Sequence, residues 1–229
     1  MKEAIILAGG LGTRLRSVVP DLPKCMAPVN GRPFLTYVIN HLQQQGIEHF
    51  IFSLGYMSEP IVDFLHKSFP VLHFSISAED EPLGTGGAIK QALSFAKGEN
   101  VLVTNGDTLF KINATAAFDF HIEKQSDCTL CLKPMTNFDR YGVVETDAEN
   151  RIISFKEKQH YASGLINGGV YVVNKNSFLN ENLPLKFSFE KDYLEKSFAV
   201  RKMYGMEQNE YFIDIGIPED FAKAQVEVF

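Results

Sequence analysis

AIILAGGLGTRLRS, residues 4–17, joins an apolar run to a turn that holds three glycines and two arginines. The apolar run at residues 3–8 is short and ends at glycine, as is typical of a parallel strand buried on both faces. Such strands occur in α/β proteins, where helices cover the sheet and ligands bind at the carboxyl ends of the strands. The stretch therefore predicts an α/β fold with a ligand-binding turn after its first strand.

Strand and helix patterns alternate through the first half of the chain. One helical pattern begins at Pro33 and stops at Gly46, and another runs from Thr85 to Lys97. The predicted strands are residues 3–8, 50–54, 71–78 and 101–104, and the predicted helices are residues 34–42, 61–69 and 85–97. This alternation predicts a doubly wound parallel sheet.

After about residue 125 the pattern changes to strands joined by turns. The predicted strands are residues 128–133, 143–146, 151–156 and 165–173, and the predicted helices are residues 188–198 and 218–228. No flexible linker or repeat separates the halves, residues 1–125 and 126–229. We expect a single Rossmann-like domain with a mixed, mostly parallel sheet and helices on both faces.

Composition argues against several classes of function. The formal net charge of −6 argues against a nucleic-acid or membrane-surface partner, although the segment between residues 11 and 32 is locally basic. No apolar run approaches the roughly 18 residues of a membrane span, and none resembles a signal peptide. We expect a cytoplasmic protein.

The three cysteines are Cys25, Cys128 and Cys131, an odd number that suggests reduced thiols. The CxxC spacing at Cys128 raises the question of a zinc or redox site. However, CTLCL is typical of a strand, in which residues three apart point to opposite faces, and no second cysteine pair completes a metal site. We expect two separately packed thiols.

The glycine turn after the first strand has the features of a phosphate site. No lysine follows the glycines as a P-loop requires, and Leu15 stands where a dinucleotide fingerprint needs its third glycine. Backbone amides free of side chains form an anion nest, and Arg14 can add charge-assisted hydrogen bonds. Phosphate is therefore the favoured ligand, and a solvated glycine turn is the alternative.

Eight motifs occur in one order along the whole chain. They are LAGGLGTRL, PKCMAPV, EPLGTGG, NGD, RYG, FKEK, INGG and FIDIG. Together they resemble the sugar-1-phosphate nucleotidylyltransferase family. The runs KCMAPV, EPLGTGGAI, DRYGVV, LINGGVY and FSFEKD are most similar to the members that transfer a guanylyl group to D-glycero-D-manno-heptose 1-phosphate.

The resemblance implies the nucleotide-diphospho-sugar transferase fold and its reaction. A sugar 1-phosphate oxygen attacks the α-phosphorus of GTP, pyrophosphate leaves, and a nucleotide-sugar such as GDP-heptose forms for bacterial surface polysaccharide synthesis. The sugar phosphate is already ionised, so positioning and charge neutralisation carry the catalysis. The resemblance makes residues 1–125 the nucleotide-binding half and residues 126–229 the sugar-phosphate-binding half.

The resemblance also implies roles for individual residues. Arg14 would neutralise the departing phosphates, and Lys24 would bridge the two reacting phosphates. Asp107, a catalytic residue, would hold Mg²⁺ together with Asp214, since this cation prefers oxygen ligands. Cys25 stands where the family usually has a proline, which loosens the backbone beside Lys24.

Two further sets of residues follow from the same resemblance. The implied nucleotide-binding residues are Leu7, Gly9, Gly10, Gly12, Thr13, Glu81, Gly84, Gly86, Gly87 and Asn105. The glycines of EPLGTGG would let the backbone approach the base and ribose. The implied sugar-phosphate-binding residues are Tyr141, Gly142, Glu157, Lys158, Asn167, Gly168 and Gly169.

Other functions stay open at this point. A glucose- or mannose-1-phosphate nucleotidylyltransferase that uses another nucleotide shares most of the motifs. A non-catalytic regulator that binds a nucleotide-sugar is disfavoured, because the chain retains Arg14, Lys24, Asp107 and Asp214 together. A nicotinamide-dependent oxidoreductase is disfavoured by the broken fingerprint. A homo-oligomer is compatible with the sequence.

Overall fold

The computed structural model describes residues 1–10, 15 and 19–228. The strands are β1 Glu3–Leu7, β2 Pro28–Val29, β3 Arg32–Pro33, β4 His49–Leu54, β5 Phe74–Ala78, β6 Asn100–Asn105, β7 Thr108–Phe110, β8 Cys128–Phe138, β9 Val143–Thr146, β10 Ile152–Lys156, β11 Tyr161–Asn174, β12 Met203–Glu207 and β13 Phe212–Asp214. The helices are α1 Leu35–Gln44, α2 Ser58–Ser68, α3 Gly84–Ala92, α4 Ala114–Glu123, α5 Lys175–Leu179, α6 Glu195–Ser197 and α7 Pro218–Glu227. Short 3₁₀ turns lie at Lys24–Met26 and Leu93–Phe95, and a π-helical turn lies at Phe189–Leu194.

Within the described residues, nine strands from both halves of the chain form one mixed sheet. Its order is β10-β9-β11-β6-β1-β4-β5, with β8 paired to both β11 and β12. The strands β6, β1, β4 and β5 are all parallel, whereas β11 runs antiparallel to β6 and to β8. The predicted fold class, a mixed sheet with a parallel centre, is confirmed.

Helices cover both faces of this sheet. Alternate residues of the central strands divide between two apolar clusters, with Ile6 on one face and Ile5 on the other. The cluster of Ile6 includes residues of α1, α2, α4 and α7, and the cluster of Ile5 includes residues of α3 and α5. Each strand thereby buries both of its faces, which explains the continuous apolar runs in the sequence.

The two cysteines of the CxxC motif divide in the same way. Cys128 and Cys131 are both free and buried, and they belong to the clusters on opposite faces of the sheet. Burial raises the pKa of the Cys131 thiol to about 12, so that it stays protonated. The interpretation of two separately packed thiols is confirmed.

Some predicted boundaries were wrong. The strand predicted from residue 71 begins at Phe74, because residues 69–72 form a turn closed by a hydrogen bond from the Leu72 amide to the Phe69 carbonyl. The helix predicted at residues 188–198 is a π-helical turn followed by α6. The helix α4 was not predicted, although Asn113 accepts a hydrogen bond from the Ala116 amide at its start and so caps it.

Among the described residues, no helix is long and apolar enough to cross a membrane.

Candidate active site

A cavity of about 710 Å³ opens at the carboxyl ends of β1, β4 and β6. In the sheet, β1 lies between β4 and β6, and the chain passes from β1 to β4 on one side and later to β6 on the other side. The carboxyl end of β1 is therefore the topological switch point, the place where α/β sheets bind ligands. The predicted residues that line the cavity are Leu7, Gly9, Gly10, Lys24, Glu81, Gly84, Asn105, Asp107 and Asp214. The predicted residues Gly12, Thr13 and Arg14 lie outside the described part of the chain.

The short strands β7 and β13 bring Asp107 and Asp214 together. Asp107 lies in the turn between β6 and β7, and Asp214 ends β13. These two strands pair antiparallel with Asp214 opposite Thr108, and the Ile215 amide donates a 3.1 Å hydrogen bond to the Asp107 carbonyl. The two carboxylates, distant in sequence, therefore face the same end of the cavity.

Lys24 lies between these two carboxylates. Its ammonium donates a hydrogen bond to Asp107 Oδ2 and lies 3.6 Å from Asp214 Oδ1. The Gly216 amide donates a 2.7 Å hydrogen bond to the same Asp214 oxygen. Lys24 is 14% exposed, so this cluster of charges is largely shielded from solvent yet open to the cavity.

Cys25 follows Lys24 in the 3₁₀ turn Lys24–Met26. Its thiol is buried, and the 3₁₀ turn is closed by a hydrogen bond from the Met26 amide to the Pro23 carbonyl. Burial and the charge of Asp107 raise the pKa of this thiol to about 12, so it is not a nucleophile at neutral pH. Cysteine at this position therefore leaves Lys24 directed at the two carboxylates.

The two aspartates fit a divalent cation. Both present oxygen atoms to the same Lys24 ammonium, and carboxylate oxygen is the donor that Mg²⁺ prefers. No group of three or more histidine, cysteine or acidic side chains in the described residues is arranged to hold a metal. A cation held by Asp107 and Asp214 would take its remaining ligands from phosphate and water.

Glu79, which the sequence did not lead us to predict, lies against Gly9 of the first glycine turn. Glu79 follows β5 and lines the cavity. One carboxylate oxygen accepts a hydrogen bond from Ser53 Oγ at 3.2 Å, and the other accepts one from the Leu83 amide at 3.0 Å. A Cβ at Gly9 would lie 2.9 Å from Glu79 Oε1, so Gly9 allows this close contact. The position of Glu79 at a parallel-strand end is the signal that could have found it.

The second glycine motif, EPLGTGG, is divided in the structure. Glu81 and Gly84 line the cavity, whereas Gly86 and Gly87 pack against a later segment of the chain. A Cβ at Gly86 would overlap the Phe187 ring, and a Cβ at Gly87 would overlap the Leu185 carbonyl. Gly86 and Gly87 therefore contact Phe187 and Leu185, whereas we predicted that they lie against the nucleotide base.

The predicted sugar-phosphate residues do not line this cavity. The Tyr141 ring packs edge-on against Phe212 of β13, with ring centroids 6.0 Å apart. Gly142 lies against the Lys156 carbonyl, and Glu157 and Lys158 are exposed after β10. These residues lie on or beside strands of the second half, outside the set of residues that lines the cavity.

The INGG motif lies within β11 and approaches Asn105, a residue that lines the cavity. The Asn167 side chain accepts a 3.0 Å hydrogen bond from the Gly169 amide, and Gly168 packs against Phe110. Gly169 has a φ of +70°, and a Cβ there would lie 2.8 Å from Asn105 Nδ2. Glycine at position 169 therefore lets β11 approach Asn105, a residue that lines the cavity.

Residues 3–229 match the family model described as nucleotidyl transferase. The chain belongs to this family. A D-glycero-alpha-D-manno-heptose 1-phosphate guanylyltransferase of Aneurinibacillus thermoaerophilus is 52% identical over 226 residues, which cover 99% of this chain and 98% of that protein. A protein of the same name from Campylobacter jejuni is 44% identical, covering 96% of each chain.

A solved structure is similar to nearly the whole chain. The crystal structure of HddC from Yersinia pseudotuberculosis complexed with GMP-PN superposes with a TM-score of 0.89 at 38% sequence identity, covering 98% of both chains. The family model and the two relatives confirm the expected membership of the nucleotidyltransferase family.

Proposed function

We propose that this nucleotidyl transferase transfers GMP from GTP to D-glycero-α-D-manno-heptose 1-phosphate, forming GDP-heptose and releasing pyrophosphate. The observation that carries the proposal is the placement of Lys24 between Asp107 and Asp214 at the switch point of the sheet. The two relatives at 52% and 44% identity supply the choice of guanine and heptose.

The reaction needs no nucleophile from the protein. An ionised oxygen of the sugar phosphate forms a bond to the α-phosphorus as the bond to the β-phosphate oxygen breaks, and pyrophosphate takes the electron pair. The protein therefore contributes alignment and charge neutralisation. This agrees with a site whose nearest thiol, Cys25, is held protonated.

Lys24 is the residue that we assign to the reacting phosphates. A flexible ammonium is a mobile point charge suited to phosphate oxygens, and its neighbours Asp107 and Asp214 keep it at the cavity wall. Asp107 and Asp214 would hold Mg²⁺, which would neutralise phosphate charge and align the triphosphate. Arg14 would add positive charge at the departing pyrophosphate.

The glycine turns are assigned to the nucleotide. Gly10 is exposed at the cavity and has open space around it, so phosphate oxygens can approach its backbone. Glu81 and Gly84 lie further along the cavity wall, where base and ribose would bind. Asn167, Gly168 and Tyr141 would bind the sugar from the INGG side, with Glu157 and Lys158 reaching it from β10. The enzyme would act in the cytoplasm on these small molecules.

The test is pyrophosphate release with Mg²⁺, across GTP, ATP, CTP, UTP and dTTP, against heptose, mannose and glucose 1-phosphates. Release with GTP and the heptose phosphate alone is the expected result, and chelation of Mg²⁺ should abolish it. Release with another pair would preserve the reaction and overturn the substrate assignment. No release with any pair would favour a non-catalytic nucleotide-sugar-binding protein.

A further inference from the structure

Residues 187–190 form a clasp along the second glycine motif. The Phe187 amide donates to the Leu83 carbonyl, and the Gly86 amide donates to the Phe187 carbonyl, both at 3.0 Å. These two bonds join a loop at the cavity to a segment that begins the π-helical turn. The conformation of the nucleotide-side loop is therefore set by a segment from the other half of the chain.

Thr85 and Glu190 are the polar centre of this clasp. The Thr85 hydroxyl donates to Glu190 Oε2 at 2.7 Å and accepts a 2.8 Å hydrogen bond from the Phe189 amide. Ser188 Oγ donates to the same Glu190 oxygen at 3.0 Å. Thr85 itself lines the cavity, so the carboxylate lies one residue behind the cavity wall. Hydrogen bonds to an ionised acceptor are stronger than neutral ones, which favours a fixed geometry here.

The clasp also contacts β11, the strand that contains the INGG motif: the Tyr171 ring packs edge-on against Phe189, with the ring centroids 5.0 Å apart. The buried Tyr171 hydroxyl has its pKa raised well above the usual value, first by burial and then by the negative charge of Glu190. This hydroxyl accepts a 2.9 Å hydrogen bond from Asn167 Nδ2, and Asn167 Oδ1 in turn holds the Gly169 amide. The clasp therefore holds Thr85 through Glu190 and contacts Tyr171, the hydrogen-bond partner of Asn167, through Phe189.

We propose that Glu190 is a positioning residue that orients both substrate-binding segments: it holds the EPLGTGG loop through Thr85, and it fixes the clasp whose Phe189 packs against Tyr171, the partner of Asn167 in the INGG segment. The inference rests on the proposed function, because it takes the first loop as the nucleotide side and the second as the sugar side. Glu190 does not contact the reacting atoms. Its effect is on the geometry of Thr85 and Asn167.

The test measures the KM of each substrate separately in three variants. Thr85→Val removes one hydroxyl while keeping the shape, so the nucleotide KM should rise about tenfold and the sugar phosphate KM should not change. Tyr171→Phe should raise the sugar phosphate KM about threefold to tenfold and leave the nucleotide KM unchanged. Glu190→Gln should raise both, with kcat reduced less than either KM is raised.

Two controls separate positioning from loss of folding. Thr85→Ser keeps the hydroxyl and should restore the nucleotide KM to within about twofold of the original protein, because the hydrogen bond is worth more than the lost methyl contact. Ser94→Ala removes an exposed hydroxyl that donates to the Gln91 carbonyl beyond α3, and both KM values should stay unchanged. Thermal unfolding of each variant shows whether the fold is intact.

The substrate pair is whichever one gives the highest rate in the pyrophosphate assay, so a wrong choice of base or sugar does not affect this test. If no pair reacts, equilibrium titration with each nucleotide replaces the nucleotide KM, and Thr85→Val and Glu190→Gln should both weaken binding. Equal changes in both KM values in all three variants would overturn the proposal, as would unchanged KM values in folded Glu190→Gln.

Discussion

At the scale of single residues, the proposed chemistry depends on three charged side chains that lie close together in the cavity. Asp107 and Asp214 together carry −2, and Lys24 reduces the net charge of the cluster to −1. A divalent cation bound to the aspartates would change this to +1, which suits a triphosphate and a sugar phosphate. Removal of any one charge should therefore alter turnover more than folding.

The first residue prediction concerns Asp107. Asp107→Asn keeps the shape of the side chain but removes the negative charge, so Mg²⁺-dependent turnover should fall by about a hundredfold or more. The rate is measured against Mg²⁺ concentration, with thermal unfolding as a check on the fold. Nearly normal activity in a folded Asp107→Asn protein would refute the metal assignment.

The second residue prediction concerns Gly216. A Cβ there would lie 2.7 Å from Asp214 Oδ1 and 2.8 Å from Lys24 Nζ, both at the ends of side chains that can move. Gly216→Ala should therefore cost less than about 1 kcal/mol of stability yet lower kcat about tenfold or more, because it displaces the charged atoms. Steady-state kinetics and urea unfolding measure the two effects. An unchanged kcat would show that this spacing has no catalytic importance.

At the scale of elements, the loops around the cavity depend on close backbone contacts. Gly84 begins α3 with a φ of +73°, and a Cβ there would lie 2.5 Å from the Phe187 carbonyl. The start of this helix is thus fitted to the clasp at residues 187–190. Both the conformation and the space around Gly84 exclude a larger side chain.

The element prediction compares Gly84 with Gly31, a glycine of nearly the same conformation. Gly31 has a φ of +76°, but a Cβ added there would meet nothing within 4 Å, so Gly31→Ala should cost only the backbone term of about 1 kcal/mol. Gly84→Ala should cost about 2 kcal/mol more, because it must also displace the Phe187 backbone. Urea unfolding of both variants gives the difference. Equal losses of stability in the two variants would show that the Phe187 backbone moves aside without an energetic penalty.

At the scale of the whole molecule, a buried histidine links stability to pH. His121 of α4 lies between Thr129, at 2.9 Å, and Asn100, at 3.2 Å. Burial lowers the pKa of His121 to about 4 in the folded protein, well below its ordinary value. Between these two pKa values the unfolded chain binds a proton that the folded chain does not, so stability decreases as the pH falls.

The corresponding prediction is a loss of about 2 kcal/mol of stability through His121 between pH 7 and pH 5. His121→Gln cannot bind this proton, so its free energy of unfolding should depend less on pH by that amount, even if it is less stable at pH 7. Urea unfolding of both proteins at the two pH values measures the change. The comparison also removes the contribution of His41, whose pKa burial lowers as well. Equal pH dependence would contradict the assignment.

The sequence determined the central strands, most of the covering helices and the order of the motifs, because these follow from periodicity and from local backbone chemistry. Residues 143–146 form the strand β9 as predicted, and Pro218 begins α7 at its predicted position. The end of the strand predicted at residues 101–104 also places Asn105 and Asp107 where they line the cavity. Each of these features depends on neighbours that are close in the chain.

Only the tertiary structure decided which distant residues meet. The pairing of β7 with β13 places Asp214 beside Asp107, and the clasp places Glu190 behind Thr85. The tertiary structure also shows that Gly86 and Gly87 pack against Phe187 and Leu185, a contact that no local sequence pattern could indicate. Such contacts depend on how distant segments pack in the folded protein. Sequence periodicity reports only on neighbouring residues, so it carries no signal that two distant residues will meet.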